Sequence, residues 1–329
     1  HVYPPQPDAV NVYQQRMATA LEQLGLEVAP MMMESMLRTP GQSFDRVIVN
    51  WPELRVLNAR GGLSPWRWAY VNLWLHWVRA RTRQLVFVLH NHYAHDTTGR
   101  TQQATRALVA RARSMADRVI VHAPAIEHWD NRHHYVPHPL YPTAVPDRSA
   151  DFVESVGPLD DTYLIFGVIA EYKQLHHVLE IWPEQRRLLL VGSAPDATYV
   201  ARLRALIRRR GLETSVQLLP TFISEAQAAY LLQQCRATLL LHDSEEMIAS
   251  GSFFHAISYG ATVLARARRW YVDIQSEFTA FQTFDDLAAL AQRVAADDVA
   301  RMPPAEVRAN AERAFGEAAL HDALRAALR

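Results

Sequence analysis

Short apolar runs alternate with longer segments of helical period along almost the whole chain. In the first half the runs are RVIVN (46–50), QLVFVL (84–89) and RVIVH (118–122). In the second they are YLIFGVI (163–169), RLLLV (187–191), SVQLL (215–219), ATLLL (237–241) and TVLA (262–265), with a last strand segment at 278–284. Unbroken apolar runs of this length, bounded by turn residues, predict buried strands of parallel sheets. Between them the spacing predicts helices over 64–84, 101–116, 174–181, 199–210, 224–234 and 287–296, and more helix from 304 to 329. Near the N-terminus a helix carrying Met17, Ala20, Leu21 and Leu24 stops at Gly25, so that 26–29 can begin a strand.

Strand and helix alternating in both halves imply an α/β protein of two doubly wound domains facing across a cleft, with ligands at the carboxyl ends of the strands. The Pro-rich, acidic stretch 142–161 shows no amphipathic helix and reads as the linker. That places the domains at 1–145 and 146–311, with 312–329 free to pack back on the first. In the helix over 64–84, Trp66, Ala69, Leu73, Trp77 and Ala80 form one stripe, which we expect to cover a sheet. The alternative is an interfacial helix, with tryptophan at headgroup level and Arg79, Arg81 and Arg83 meeting anionic lipid.

Composition narrows the function. At 329 residues, with 49% apolar and 21% charged positions, the chain has the make-up of a folded two-domain protein. Its formal net charge of zero gives no electrostatic argument for nucleic acid. The single Cys235 excludes an intramolecular disulfide and a cysteine-based zinc cluster. No apolar run is long enough to span a bilayer and no basic-then-apolar leader opens the chain, so a cytoplasmic protein, at most peripheral on the inner face of a plasma membrane, is expected. Of the 34 basic residues only Lys173 is a lysine, which directs attention to that position.

Two segments concentrate polar chemistry. Residues 90–96 read HNHYAHD directly after a strand, so His90, Asn91, His92, His95 and Asp96 crowd one strand end. Asp96, His92 and His95 are the candidates for a general base, and His90 and Asn91 for acceptor contacts. The spacing matches no helical zinc signature, so no metal is expected. In 237–267 an acidic loop with Glu245 and Glu246 leads to a helix opening at Ser250-Gly251-Ser252, whose free N–H groups suit a phosphate. Neither half carries GxGxxG after its first strand, a Walker loop or GxSxG, which argues against a dinucleotide oxidoreductase, a P-loop kinase and an α/β-hydrolase.

The segments FGVIAEYKQLHHVLEIW, RLLLVGSAPD and SGSFFHAISYGATVLAR resemble the C-terminal domain of GT-B glycosyltransferases of the family 4 type. VIVNWPE, VFVLHNHYAHD and VPHPLY resemble bacterial exopolysaccharide glycosyltransferases, and among them the β-mannosyltransferases of xanthan-type synthesis. The resemblance implies sugar transfer without cofactor or metal, with GDP-mannose as donor and a polyprenyl-diphosphate-linked oligosaccharide as acceptor. It makes the first domain the acceptor-binding one and the second the donor-binding one. Lys173 and the N–H groups at Gly251, Ser252 and Phe253, capped by Ser250, would then hold the diphosphate, and Glu245 or Glu246 the sugar or ribose. Two departures stand out: Ala170 and Glu171 lie where many relatives carry Arg, and His255 where many carry Glu. They keep open an inverting route with a base from 90–96, and also a GT-B-shaped binding or scaffold protein that has lost transfer. A nucleotide-sugar epimerase is a third reading.

Overall fold

The computed structural model describes residues 1–3, 11–95 and 97–329. Its strands are β1 (Val2–Tyr3), β2 (Phe44–Asn50), β3 (Thr82–Leu89), β4 (Arg118–Val121), β5 (His133–Tyr135), β6 (Thr162–Phe166), β7 (Arg187–Val191), β8 (Val216–Leu219), β9 (Ala237–Leu240), β10 (Val263–Arg266) and β11 (Gln282–Phe284). Its helices are α1 (Val12–Gln23), α2 (Ser35–Arg38), α3 (Pro65–Arg81), α4 (Gly99–Met115), α5 (Ala150–Val156), α6 (Leu175–Ile181), α7 (Ala197–Arg209), α8 (Glu225–Gln234), α9 (Gly251–Ser258), α10 (Arg269–Ile274), α11 (Leu287–Ala295), α12 (Pro304–Phe315) and α13 (Glu317–Ala327). By contacts the chain forms two compact units: 1–139 with 246–249 and 315–329, and 140–245 with 250–314.

Unit 1 is a parallel sheet in the order β1-β2-β3-β4-β5. Ile48, Val86, Val88 and Ile120 on one sheet face pack on Tyr13, Met17 and Leu21 of α1 and on Leu320 and Leu324 of α13. Residues 26–29, read as the start of a strand, contribute only a bridge between Val2 and Pro30 on the free side of β1. Val2 N–H reaches the Ala29 carbonyl at 2.9 Å and Met31 N–H the Val2 carbonyl at 2.8 Å.

Helix α3 corrects the sequence reading. Val71, Trp74, Leu75 and Val78 are its buried face, each at most 2% exposed. The stripe expected to cover the sheet faces outward instead: Trp66 is 68% and Leu73 61% exposed, Ala69 and Ala80 are exposed, and Trp77 is half-buried with its indole N–H on the Pro40 carbonyl. Large apolar residues occupy both sides of this helix, and the side with the β-branched pair Val71 and Val78 is the one that meets the core.

Unit 2 is a parallel sheet in the order β11-β10-β9-β6-β7-β8. The chain builds outward from β6 to β8 on one side and returns through β9 to β11 on the other, so the order reverses between β6 and β9. Tyr163, Leu188, Leu190, Leu239 and Leu264 pack on Val178, Leu179 and Trp182 of α6 and its flank and on Leu203 of α7. Side chains fix the helix starts: Asp196 accepts from Thr198 and Tyr199 N–H, and Ser224 and Gln227 form a reciprocal capping box. The supposed linker 142–161 holds a short helix, α5, which buries Val156 and ends at Gly157 in a left-handed turn (φ 68°). Seven residues are too few for periodicity to show it. Among the described residues no helix is long and apolar enough to cross a membrane.

Candidate functional site

In unit 2 the β6/β9 reversal is the switch point at which an open α/β sheet leaves a crevice. A pocket lies there, lined by Phe166, Lys173, Leu240, His242 and Ser252 among others. After β6 the chain turns through Gly167 (φ 97°), runs through a 3-10 turn at Glu171–Lys173 and enters α6 through Gln174 in the left-handed region (φ 54°). The turn folds the Lys173 side chain back, with Nζ donating to the Phe166 carbonyl at 3.2 Å. Lys173 is only 8% exposed, and burial lowers its pKa to about 8. Among the described residues no carboxylate pairs with it. A desolvated ammonium held by one carbonyl oxygen gains strongly from an anion.

Backbone makes room beside it. A Cβ on Gly167 would lie 3.2 Å from Lys173 Nζ, and one on Gly192 (φ 148°), after β7, would lie 2.0 Å from the Gly167 carbonyl oxygen. Helix α9 begins at the same edge. Ser250 Oγ accepts from Phe253 N–H at 3.3 Å and itself receives the Tyr271 hydroxyl at 3.3 Å. The Phe253 N–H also meets the Ser250 carbonyl at 3.0 Å. That corrects the expectation that this N–H points at an anion: it is consumed by its own cap. The Phe253 ring is fully buried against Trp270, Tyr271, Phe278 and Phe281 and anchors the helix. Gly251 and Ser252 keep N–H groups with no partner among the described residues, at the positive end of the helix dipole. A Cβ on Gly251 would stand 3.1 Å from the Tyr141 hydroxyl, a close approach.

One turn into α9, His255 is 8% exposed, stacks on Tyr141 (4.7 Å between centroids, 10° between planes) and meets the edge of Phe166 at 5.0 Å. Its Nε2 lies 3.0 Å from Glu225 Oε2 at the start of α8. That carboxylate, 30 residues away in sequence, was not singled out from sequence and nothing local could have signalled it. The acidic loop after β9 is engaged by arginines. Asp243 binds Arg266 at 2.9 Å and Arg268, and Glu245 binds Arg268 at 3.3 Å and the Arg269 N–H at 3.2 Å. Glu246 clusters with unit 1, where it takes Arg106 at 2.8 and 3.0 Å.

Unit 1 gathers polar side chains at its own strand ends. His90 Nε2 lies 2.9 Å from Asn50 Oδ1. Asn50 Nδ2 donates to the Tyr3 carbonyl at 3.0 Å, so its oxygen faces His90 and the imidazole donates from Nε2. His122 donates from Nδ1 to the Val136 carbonyl at 2.7 Å and accepts at Nε2 from the Tyr13 hydroxyl at 2.9 Å. His138 Nδ1 is 2.9 Å from the Pro139 carbonyl. Burial brings His122 down to about 4 and His138 to about 3, and pushes His90 well below its ordinary value, so all three are neutral at pH 7. Trp51, left-handed at φ 46°, stacks on His90 at 3.9 Å.

Of the residues singled out after β3, His90 and Asn91 belong to this edge, whereas His92 stacks on Trp129 at 5.6 Å and His95 is exposed. Asp96 lies outside the described residues. Sequence reasoning passed over Glu53, Asn50, His122 and His138. Glu53 is 2% exposed beside Asn91, and burial raises its pKa to about 7. Among the described residues no group of three or more His, Cys, Asp or Glu is arranged to hold a metal ion.

Solved structures share this architecture at low identity. HepE of Anabaena, solved with UDP and glucose, is 17% identical over 94% of this chain and 88% of its own, with a TM-score of 0.62. Sucrose-phosphate synthase of Thermosynechococcus elongatus is 18% identical over 99% and 81%, TM-score 0.61. AviGT4, a glycosyltransferase involved in avilamycin A biosynthesis, is 18% identical over 98% and 90%, TM-score 0.55. The fold is GT-B. No family model and no curated protein matches the sequence. At these identities the GT-B likeness speaks for the fold, and the chemistry has to be argued from the side chains.

Proposed function

We infer that the protein is a glycosyltransferase of the family 4-like type, whose unit 2 binds a nucleotide-diphosphate sugar and whose unit 1 binds the acceptor. The observation that carries this is the desolvated Lys173 at the β6/β9 switch point, which pairs with no carboxylate among the described residues, together with the Gly251 and Ser252 N–H groups, which have no acceptor partner among them. A diphosphate there gains charge as the sugar leaves, and a preorganised cation and helix N-terminus stabilise that charge without a metal. His255, held by Glu225, and Ser250 border the same position.

For the donor, the sequence resemblance favours GDP-mannose, transferred to a polyprenyl-diphosphate-linked oligosaccharide in exopolysaccharide synthesis of the xanthan type. A UDP-sugar is the second reading, favoured by HepE having been solved with UDP and with UDP-glucose. Calorimetry with GDP, UDP and ADP separates them. The expected result is micromolar binding of one nucleoside diphosphate that Lys173→Ala abolishes. Binding of none, or binding indifferent to Lys173, overturns the transferase reading.

A lipid-borne acceptor calls for a membrane surface, and the outward stripe of α3 supports one. Trp66 and Leu73 stand exposed on α3, and α2, which packs on α3, exposes Leu37 (71%) and Arg38; Arg81 is exposed at the end of α3. Exposed tryptophan and leucine on a helix that ends in arginine fit an anionic bilayer interface on the cytoplasmic face. Sedimentation with phosphatidylglycerol vesicles is expected to pellet the protein and phosphatidylcholine vesicles to leave it in solution. Equal behaviour in both refutes the membrane assignment.

A further inference from the structure

Glu53 is a carboxylate buried at the carboxyl end of β2 without a cation. Trp51 causes this: its left-handed backbone turns the chain at the end of β2, and its stacking on His90 holds the turn in place. The chain then enters a 3-10 turn, Pro52–Val56, that packs against α3 and α4 and brings Glu53 inward to 2% exposure. Its partners are its own backbone N–H and the side-chain amide of Asn91, just past β3.

Among the described residues no charge from the elements around it compensates the carboxylate. Arg55 of the same turn sits over the Tyr3 ring at 5.8 Å. Arg111 of α4 is engaged by Asn72 of α3 and lies over the Trp68 ring at 5.8 Å. The nearby histidines 90, 122 and 138 are neutral. Burial without a cation normally costs too much to keep for structural reasons alone, since a glutamine would make the same hydrogen bond to the backbone. Glu53 and the half-exposed Asn91 lie in the segments that follow β2 and β3, two parallel strands, so both belong to the carboxyl edge of the sheet, where an open α/β fold takes its ligand.

We propose that Glu53 is the general base that takes the proton from the acceptor hydroxyl bound at the strand ends of unit 1, with Asn91 orienting its carboxylate. The hydroxyl proton moves to a Glu53 carboxylate oxygen, the hydroxyl oxygen bonds to the anomeric carbon of the donor, and the bond from that carbon to the diphosphate oxygen breaks with its electron pair remaining on the diphosphate. The pKa of about 7 suits a base near neutral pH. This assignment rests on the transferase reading and replaces His92, His95 and Asp96 as the first candidate base.

The test compares wild type, Glu53→Gln and Glu53→Asp under saturating donor. Glu53→Gln is expected to lower kcat roughly 10²- to 10⁴-fold, with the nucleoside diphosphate Kd unchanged and the acid limb of the pH–rate profile near 7 gone. Glu53→Asp keeps that limb at a reduced rate. An active wild type with a Glu53→Gln variant within threefold of it overturns the assignment of Glu53 alone. If the variants do not fold, the wild-type profile decides: a rate that does not rise with pH between 6 and 8 rejects the base. A wild type that transfers no sugar from any donor overturns the transferase reading itself, and this proposal with it.

Discussion

At the ends of β2, β3 and β4, unit 1 sets Asn50, His90 and His122, with His138 beyond β5 and the buried Glu53 in the turn after β2. At the ends of β6 and β7, unit 2 sets Gly167 and Gly192, with one lysine and a bare helix start beside them. Both sheets are parallel and both units follow the same strand–helix plan. One edge is filled by side chains, among them histidines that burial keeps neutral, whereas the other is emptied of side chains so that backbone N–H groups and a single cation are presented. The first suits hydroxyl groups and proton transfer, the second a polyanion. Both edges lie at the carboxyl ends of parallel strands, and the residues just past those strands set the contrast.

Four experiments would break or sharpen this contrast. The largest effect is expected at Gly192. Alanine there meets the Gly167 carbonyl oxygen at 2.0 Å and must adopt φ 148°, so Gly192→Ala is expected to cost on the order of 3 kcal/mol or more in urea melts. Gly61→Ala in unit 1, at φ 74° with nothing within 4 Å, is expected to cost about 1 kcal/mol. Equal costs would mean that the glycines of unit 2 are not placed by close approach.

Lys173→Ala comes next, with a loss of roughly 10²- to 10³-fold in transfer rate and no loss of melting temperature in the absence of nucleotide, because the lysine is desolvated and held by a single carbonyl oxygen. A variant less stable than wild type would make the lysine structural.

Acidification should act on unit 1. The folded pKa of His122 lies near 4, below the ordinary histidine value, so its stabilising contribution is complete above about 6.5 and is lost as pH falls toward 4. At pH 5 the loss is on the order of 2 kcal/mol. Hydrogen exchange at pH 7 and pH 5 is expected to show β4 and β5 opening more readily at the lower pH, with β6 and β7 little changed. Parallel changes in both sheets would remove the electrostatic distinction.

The smallest effect on stability is expected from the double change Trp66→Ser and Leu73→Ser. Both side chains face outward, so the melt should move by roughly 0.5 kcal/mol or less while pelleting with anionic vesicles is lost. A large destabilisation would return the stripe to the core.

Much of the architecture was legible because strands such as RLLLV (187–191) and QLVFVL (84–89) are short apolar runs between turn residues, and burial on both sheet faces imposes that pattern locally. Helix starts such as Ser224 were legible for the same reason, since a cap acts within three residues. The sole lysine and the Ser-Gly-Ser helix start could be singled out by residue type alone, and so could the crowding of polar residues after β3.

What the chain could not disclose depends on groups far apart in sequence. The outward face of α3 is chosen by which side meets the sheet, and tryptophans on both sides leave periodicity undecided. Glu53 reads as a turn residue until Trp51, α3 and α4 enclose it. The His255–Glu225 pair and the Gly192–Gly167 approach exist only after distant segments pack. Local pattern therefore determined the strands, the helices and the glycines of the turns. Tertiary packing alone decided which polar groups lose water, and that loss sets the charge and reactivity of Lys173, Glu53 and the histidines.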